Sequence, residues 1–278
     1  MIALLAPGQG SQTPGMLAEW LTLPGAADRI AVWSDISGLD LGRLGTTATA
    51  DEITDTAVTQ PLVVATTLLA HDELARRGLL SAAETIVAGH SVGEIAAYAI
   101  AGVISADDAV RLAAVRGAEM AKACAAEPTG MSAVLGGDEA EVLARLEALE
   151  LIPANRNAVG QIVAAGAVTA LEKLAEDPPA KARVRALATA GAFHTHYMAS
   201  ALDGYAAAAA GVSAADPRTT LLSNADGQPV TSGADAMAKL VAQLTRPVRW
   251  DLCTETIRAR NTTAIVEFPP AGALTGIA

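Results

Sequence analysis

Ser91 lies in the pattern Gly-x-Ser-x-Gly, which it forms with Gly89 and Gly93, and its surroundings indicate a nucleophile. The apolar residues 86–88 predict the end of a buried strand, and residues 95–100 predict a helix. A strand, a sharp turn and a helix in this order form an elbow that exposes a reactive serine. The glycines let strand and helix approach without Cβ clashes, and the helix N-terminus adds a positive dipole end. The alternative is an ordinary glycine-rich turn.

A serine nucleophile needs an imidazole to take its proton, and the chain has four histidines. His90 adjoins the serine, where neighbouring side chains usually point apart, and His71 shares an apolar helix face that predicts packing. We therefore prefer His194, in a loop after Gly191, over His196, which we expect in the first turn of the next helix. The alternative is a metal site formed by His194 and His196, but no nearby carboxylate or cysteine completes it.

Arg116 falls on the apolar stripe of a helix predicted from about 105 to 126, on the same face as Met120. Arg111 falls on the opposite face of that helix. A buried guanidinium is costly unless it meets an anion. That anion is either a core carboxylate, in a structural ion pair, or a substrate carboxylate held by two hydrogen bonds.

The elements that must position these residues alternate in the α/β manner. A buried strand at 2–6 runs into the loop 7–12, whose glycines lack the lysine of a phosphate-binding loop. Backbone N–H groups beside a reacting oxygen suit this loop better. Residues 24–55 are predicted to be mostly loops with short helical pieces, and a helix is predicted over 61–77 with Pro61 in its first turn. Towards the end of the chain, the patterns predict helices at 199–210, 234–244 and 250–260 and strands at 220–223 and 264–268.

Residues 129–190 are predicted to form a separate unit, inserted between the Arg116 helix and His194. Its order is β-α-β-β-α-β, which is that of a ferredoxin-like domain. The predicted strands are 131–135, 152–155, 161–165 and 181–187, and the predicted helices are 138–149 and 168–176. The predicted domains are therefore 1–128 together with 191–278, and 129–190.

Composition excludes several classes of protein. The 278 residues are 51% hydrophobic but 3% aromatic, so alanine, leucine and valine must fill the core of one large domain or two lobes. A net charge of −11 argues against nucleic-acid or anionic-membrane binding. No run of about 18 apolar residues predicts a membrane span, and residues 1–6 lack the basic region of a signal peptide. Cys124 and Cys253 lack metal-ligand spacing, which fits a reducing cytoplasm.

Taken together, these motifs resemble those of the malonyl-CoA:acyl carrier protein transacylases, the bacterial loading enzymes of dissociated fatty acid synthesis. The resemblance covers essentially the whole chain and is nearest to mycobacterial-type members. The matching segments are Pro-Gly-Gln-Gly-Ser-Gln at 7–12, Gly-His-Ser-Val-Gly-Glu at 89–94, Arg-Gly at 116–117, Ala-Asn-Arg-Asn-Ala-Val-Gly-Gln at 154–161, Gly-Ala-Phe-His at 191–194, Gln-Leu-Thr-Arg-Pro-Val-Arg-Trp at 243–250 and Glu-Phe-Pro-Pro-Ala-Gly at 267–272.

The resemblance implies an α/β-hydrolase-like large domain, a ferredoxin-like small domain and an active site in the cleft between them. It implies that malonyl-CoA acylates Ser91, that the carrier protein's phosphopantetheine thiol removes the malonyl group, and that His194 moves the proton. The imidazole would be oriented by the backbone carbonyl of Gln243 in place of a carboxylate. The oxyanion hole would use the backbone N–H groups of Gln9 and Val92.

The resemblance also implies the residues that hold the substrate. Arg116 would bind the malonyl carboxylate, and Phe193 resembles the variant that accepts malonyl and crowds out methyl-branched substrates. The predicted substrate-binding residues are thus Arg116, Met120, Asn155, Gln161 and Phe193.

The predicted partners are malonyl-CoA and an acyl carrier protein, bound by a monomer that needs no metal or other cofactor. Carrier proteins of this family are acidic, so docking on this acidic chain needs a local basic patch. One candidate is Lys181, Arg183 and Arg185, and the other is Arg246 and Arg249. The competing functions are a serine thioesterase or esterase of similar fold and a non-catalytic scaffold that binds the carrier protein.

Overall fold

Two β-sheets and ten α-helices are formed by residues 1–80 and 85–277, the part of the chain that this computed structural model describes. The strands are β1 (Ile2–Ala6), β2 (Thr85–Gly89), β3 (Thr129–Gly136), β4 (Ile152–Ala158), β5 (Gln161–Ala167), β6 (Ala182–Ala186), β7 (Thr220–Leu221), β8 (Val248–Arg249) and β9 (Ala264–Glu267). The helices are α1 (Ala26–Ser37), α2 (Leu41–Thr46), α3 (Thr56–Arg76), α4 (Gly93–Ile100), α5 (Ala106–Cys124), α6 (Glu139–Ala148), α7 (Val168–Glu176), α8 (Leu202–Ala210), α9 (Gly233–Ala242) and α10 (Trp250–Ala259).

The first sheet is parallel and has the strand order β7-β2-β1-β9. Apart from Thr85, its central strands are apolar because both faces of the sheet are covered. On β1, Ala3 and Leu5 pack in one cluster with Trp250 of α10, whereas Leu4 and Ala6 join the larger core on the other face. Ser91 follows β2 at the carboxyl end of this sheet, where ligand sites of parallel sheets form.

The second sheet has the strand order β6-β3-β5-β4-β8 and is antiparallel except where β8 runs parallel to β4. Helices α6 and α7 cover one face through Val142, Leu146, Leu171 and Leu174. All four strands predicted within 129–190 are present, and β8 adds an edge strand from beyond that segment. This mixed α/β fold with two sheets agrees with the predicted class.

Two predictions about residues 24–77 were wrong. A helix of twelve residues, α1, occupies much of the segment predicted to be loops, and it buries Ala26, Ile30 and Trp33 on one face. Helix α3 begins at Thr56, with the preceding aspartate accepting a hydrogen bond as its N-cap, so Pro61 lies inside the helix. Among the described residues, no helix combines the length and the apolar character that crossing a membrane requires.

Candidate active site

Ser91 lies at the turn between β2 and α4, and its φ of 54° is in the left-handed region. A Cβ on Gly89 would lie 2.1 Å from the carbonyl oxygen of Gly93, and one on Gly93 would lie 2.2 Å from that of Ala6. Cβ atoms do not approach other atoms so closely, so strand, turn and helix can pack this way only with glycine at both positions. The predicted strand–turn–helix elbow is confirmed.

A chain of two hydrogen bonds joins Ser91, His194 and Gln243. The serine Oγ lies 2.7 Å from Nε2 of His194, and Nδ1 of the same ring lies 2.8 Å from the backbone carbonyl oxygen of Gln243. A carbonyl oxygen only accepts, so Nδ1 carries the proton and Nε2 can accept one from the serine. Helix α9 ends at residue 242, and the 3-10 turn that follows leaves the Gln243 carbonyl free of the α-helical ladder.

His194 is buried and has a φ of 62°. Burial, and after it the charge of Arg116, lower the pKa of His194 to about 3. The imidazole is therefore neutral near pH 7, as a general base must be. Phe193, just before it, is buried in the large core, where its role in substrate choice stays a prediction.

The other histidines lie elsewhere. His196 begins a 3-10 turn that Thr195 caps, as the sequence predicted for a first-turn residue, and its ring stacks on Tyr197. His71 contacts Phe268 edge-on, with the ring centroids 6.0 Å apart, which agrees with a packing role. In the described part of the chain, no group of three or more His, Cys, Asp or Glu side chains could hold a metal ion.

The backbone N–H groups predicted for the oxyanion hole belong to Gln9 and Val92. Val92 follows the serine directly, and the loop that carries Gln9 lies against the elbow, since a Cβ on Gly8 would come within 2.8 Å of the His90 carbonyl oxygen. Within residues 1–80 and 85–277, neither N–H donates a hydrogen bond. Such unpaired donors are rare in folded proteins. An oxyanion hole requires two of them beside the nucleophile.

Arg116 is 1% exposed and reaches the serine from α5. Its Nη1 donates to Oε1 of Gln60 at 2.8 Å, its Nη2 donates to Oε1 of Gln243 at 2.9 Å, and Nη2 lies 3.5 Å from Oγ of Ser91. Burial lowers the pKa of the guanidinium. Nε has no partner, and Arg116 makes no salt bridge, among the residues that are described. Donor capacity for an anion therefore remains beside the serine.

Helices α5 and α3 approach closely at this point, because a Cβ on Gly117 would lie 2.7 Å from the carbonyl oxygen of Thr56. Gln60 bridges the two helices: its Nε2 donates to Oγ1 of Thr56 at 3.1 Å and lies 3.4 Å from Sδ of Met120. Thr56 Oγ1 in turn donates to Oε1 of Gln9 at 2.7 Å. The loop 7–12 and the Arg116 helix are thus held in one network.

Asn155 brings the second sheet to the elbow. Its Nδ2 lies 3.5 Å from Nε2 of His90, and the same ring nitrogen lies 3.0 Å from Oδ1 of Asn157. The His90 ring contacts Trp250 edge-on. Gln161 lies at the start of β5, on the same face of the sheet as Asn155 by register. A contact of Gln161 with substrate stays a prediction.

Sequence reasoning missed Glu94 and Asn224. Glu94 is buried, its Oε1 accepts from the Asn224 backbone N–H at 2.6 Å, and its Oε2 accepts from Nε2 of Gln243 at 2.5 Å. Asn224 in turn accepts from the Ser91 N–H at 2.8 Å and donates to the Gly89 carbonyl at 2.7 Å. A charged residue on the apolar first turn of α4 was the signal that could have revealed Glu94.

Gln60 was also missed. It lies on α3 among residues that are nearly all buried, immediately before Pro61. An amide at a core position needs hydrogen-bond partners, and this requirement was the available signal.

Comparison with known proteins places this geometry in a family. A family model described as "Acyl transferase domain" matches residues 4–277. The malonyl CoA-acyl carrier protein transacylase of Mycolicibacterium smegmatis is 81% identical over 267 residues, which are 95% of this chain and 92% of the relative. The crystal structure of MCAT from Mycobacterium tuberculosis is 76% identical and superposes with a TM-score of 0.98, covering 99% of this chain and 91% of that one.

A more distant structure contains a carrier protein. It is that of a malonyl-transacylase in complex with its type II PKS acyl-carrier protein. It is 30% identical, has a TM-score of 0.92, and is matched over 99% of this chain and 91% of its own. The chain belongs to the acyl transferase family and, within it, to the malonyl CoA-acyl carrier protein transacylases.

Proposed function

We propose that this acyltransferase moves a malonyl group from malonyl-CoA to the phosphopantetheine thiol of an acyl carrier protein, through an ester on Ser91. The transfer would supply extender units for fatty acid synthesis. The observation that carries the proposal is the hydrogen-bond chain from Ser91 through His194 to the Gln243 carbonyl, with a buried guanidinium beside it. The names of the relatives give the same donor and acceptor.

In the first half-reaction, Nε2 of His194 takes the proton of Ser91 as Oγ forms a bond to the thioester carbonyl carbon. The carbonyl oxygen gains the negative charge, and the N–H groups of Gln9 and Val92 stabilise it. When the carbon–sulfur bond breaks, CoA leaves with the proton from His194. The carrier protein's thiol then loses its proton to His194 as its sulfur attacks the ester carbon. When the bond between that carbon and Oγ breaks, His194 returns the proton to Oγ, which restores the serine hydroxyl and releases the acylated carrier protein.

The Gln243 carbonyl would do the work that a carboxylate does in other serine enzymes. It fixes the tautomer and the orientation of the His194 ring without adding a negative charge. The proton that His194 receives is held as an imidazolium in a dry site that already contains Arg116. We expect that charge to favour the prompt return of the proton to the leaving thiolate.

Arg116 would hold the malonyl carboxylate. Its Nε is unpaired and its Nη2 lies within 3.5 Å of the serine Oγ, which supports a carboxylate bound beside the acylated oxygen. Asn155, Gln161, Phe193 and Met120 are proposed to line the remaining space for the malonyl group.

For the carrier protein, we favour the patch of Arg246 and Arg249. Both line a cleft of about 410 Å³ that also includes Gln243, whose carbonyl contacts the catalytic histidine. Arg183 and Arg185 lie on β6, at the opposite edge of the second sheet from β8. At about 4.8 Å between strands, that edge is roughly 19 Å away. Charge reversal at Arg246 should weaken carrier loading, whereas reversal at Arg183 should not.

The finer architecture is also a proposal. The parallel sheet with the elbow supports an α/β-hydrolase-like catalytic domain, made of residues 1–128 and 191–278. The β6-β3-β5-β4 order of the second sheet supports a ferredoxin-like domain at 129–190. We further propose a cytoplasmic monomer that needs no metal or redox cofactor, with the CoA thioester and phosphopantetheine as substrates. Sedimentation would test the monomeric state, and EDTA treatment would test whether activity needs a metal ion.

The deciding experiment is intact-protein mass spectrometry after mixing with malonyl-CoA. We expect one malonyl adduct on Ser91 that is absent in Ser91→Ala and is discharged by a holo carrier protein. A thioesterase would instead release free malonate faster than it loads the carrier. The carboxylate-binding Arg116 favours the transferase, since a general thioesterase needs no such group. A scaffold would form no adduct.

A further inference from the structure

The buried carboxyl group of Glu94 takes part in none of the steps above, yet it contacts two segments of the site. Glu94 lies in the first turn of α4 and is 1% exposed. Its Oε1 accepts from the backbone N–H of Asn224 at 2.6 Å, and its Oε2 accepts from Nε2 of Gln243 at 2.5 Å. Burial of a carboxyl group costs free energy, which suggests that Glu94 has a role in the site.

The Asn224 contact leads to the serine. Oδ1 of Asn224 accepts from the Ser91 N–H at 2.8 Å, and its Nδ2 donates to the Gly89 carbonyl at 2.7 Å. These bonds hold both sides of the turn in which Ser91 keeps its left-handed φ of 54°. Glu94 therefore fixes the residue that shapes the elbow.

The Gln243 contact leads to the histidine and the arginine. The Gln243 backbone carbonyl accepts from His194, and its side-chain Oε1 accepts from Arg116 at 2.9 Å. A guanidinium only donates, and a carboxylate only accepts, so one orientation of the Gln243 amide satisfies both neighbours. Its nitrogen faces Glu94 and its oxygen faces Arg116.

We propose that Glu94 is a positioning residue for acyl transfer: its two oxygens tie the segment that holds Ser91 to the segment that holds His194. The inference rests on the proposed function, because positioning is measured through acylation of Ser91. In this arrangement Glu94 touches no reacting atom and acts through Asn224 and Gln243.

The environment of Glu94 gives the proposal a signature in the pH profile. Burial raises the pKa of Glu94 to about 7, against the hydrogen bonds from Asn224 and Gln243. Both neighbours of the Glu94 carboxyl group are hydrogen-bond donors, so the ionised carboxylate can accept from both. In the protonated carboxyl group, the O–H would face an N–H group, and one of the two hydrogen bonds would be lost. The titratable groups that face Glu94 are Arg116 of α5, Lys239 of α9, Tyr98 of α4, Tyr205 of α8 and Cys253 of α10.

The test compares Glu94→Gln with the wild type in single-turnover acylation of Ser91, with malonyl-CoA and with acetyl-CoA, over about pH 5.5 to 9. The amide turns one acceptor into a donor, so one neighbouring N–H loses its partner. We expect acylation to slow by about 10- to 100-fold with both donors, with little change in KM. The wild-type rate should rise with pH around 7, and this rise should vanish in Glu94→Gln, because His194 is neutral throughout.

A matched control is Glu73→Gln, which alters a buried carboxyl group whose partners are Arg76 at the end of α3 and Arg77 just after it. It should lower the melting temperature and leave the acylation rate and the pH profile unchanged. If Glu94→Gln does not fold, Glu94→Asp is tested in its place and should slow acylation while keeping the rise near pH 7.

Acylation by either variant at the wild-type rate, with the wild-type pH profile, would overturn the inference and leave the proposed function intact. A wild-type protein that is never acylated on Ser91 would instead overturn the proposed function.

Discussion

Replacing Arg116 by alanine should abolish the preference for malonyl over acetyl donors while leaving the serine reactive. The guanidinium is 1% exposed, so a malonyl carboxylate bound beside it is taken out of water. Leaving such a charge without its partner costs about 3–5 kcal/mol. At about 1.4 kcal/mol per factor of ten, the malonyl rate should fall by roughly 10²- to 4 × 10³-fold relative to the acetyl rate.

The relative rate is the quantity to measure, because the substitution also removes the hydrogen bonds to Gln60 and Gln243. Loss of these hydrogen bonds should slow acylation by both acyl-CoA donors by about tenfold, so it cancels in the ratio of the malonyl rate to the acetyl rate. The assay mixes equimolar malonyl-CoA and acetyl-CoA with enzyme and counts the two Ser91 adducts by mass spectrometry at short times. Arg111→Ala is the matched control, since Arg111 lies on the same helix, is exposed and pairs with Asp108.

An equal loss of both adducts in Arg116→Ala would refute the reasoning. It would mean that Arg116 supports the site through Gln60 and Gln243 and does not bind the substrate carboxylate. A changed ratio in Arg111→Ala would show that the helix as a whole, and not the buried guanidinium, determines selectivity.

Three further predictions concern the base, the buried acid and the elbow. His194→Ala should slow acylation by about 10²–10⁴ with the circular dichroism spectrum unchanged, and rapid acylation would exclude it as the base. An unfolded glutamate ionises near pH 4.5 but Glu94 holds its proton to about 7, so the folded state binds more protons between these values and loses stability as pH rises. In urea, the free energy of unfolding of the wild type should therefore fall by about 3 kcal/mol relative to that of Glu94→Gln between pH 4.5 and 8. A difference between the two proteins that does not change with pH would contradict this. Gly93→Ala should lower the free energy of unfolding by roughly 3 kcal/mol, because the new Cβ would clash with the Ala6 carbonyl oxygen. The control is Gly211→Ala: Gly211 has a φ of −80°, so the free energy of unfolding of this variant should lie within about 1 kcal/mol of the wild-type value.

The parts of the site that could be predicted are those whose signal is local. The elbow follows from glycines at fixed spacing around Ser91, between a strand pattern and a helix pattern. Arg116 was noticed because helical periodicity places it on an apolar stripe. Comparison of the four histidines favours His194 as the base. The family resemblance, and not the sequence pattern, implies that the Gln243 carbonyl orients its ring. Each of these needed no knowledge of distant contacts.

The parts that could not be predicted depend on pairing across the chain. Glu94 and Asn224 are 130 residues apart, and no spacing rule connects them. Strand β8 has only two residues, too few for a periodic pattern. Helix α1 is different, since Ala26, Ile30 and Trp33 do follow helical spacing. Gly25 and Gly38, both with positive φ, bound this helix, and glycine is typical of turns as well as of helix ends.

The short strand β8 has a mechanical consequence. Val248 and Arg249 pair with β4, while the next residue, Trp250, is anchored in the core of the parallel sheet. A few residues earlier, the same segment supplies the Gln243 carbonyl. A hinge opening between the two sheets would have to pull this segment in both directions and would displace the imidazole. We therefore expect the enzyme to admit its long thioester substrates without a hinge opening between the two sheets.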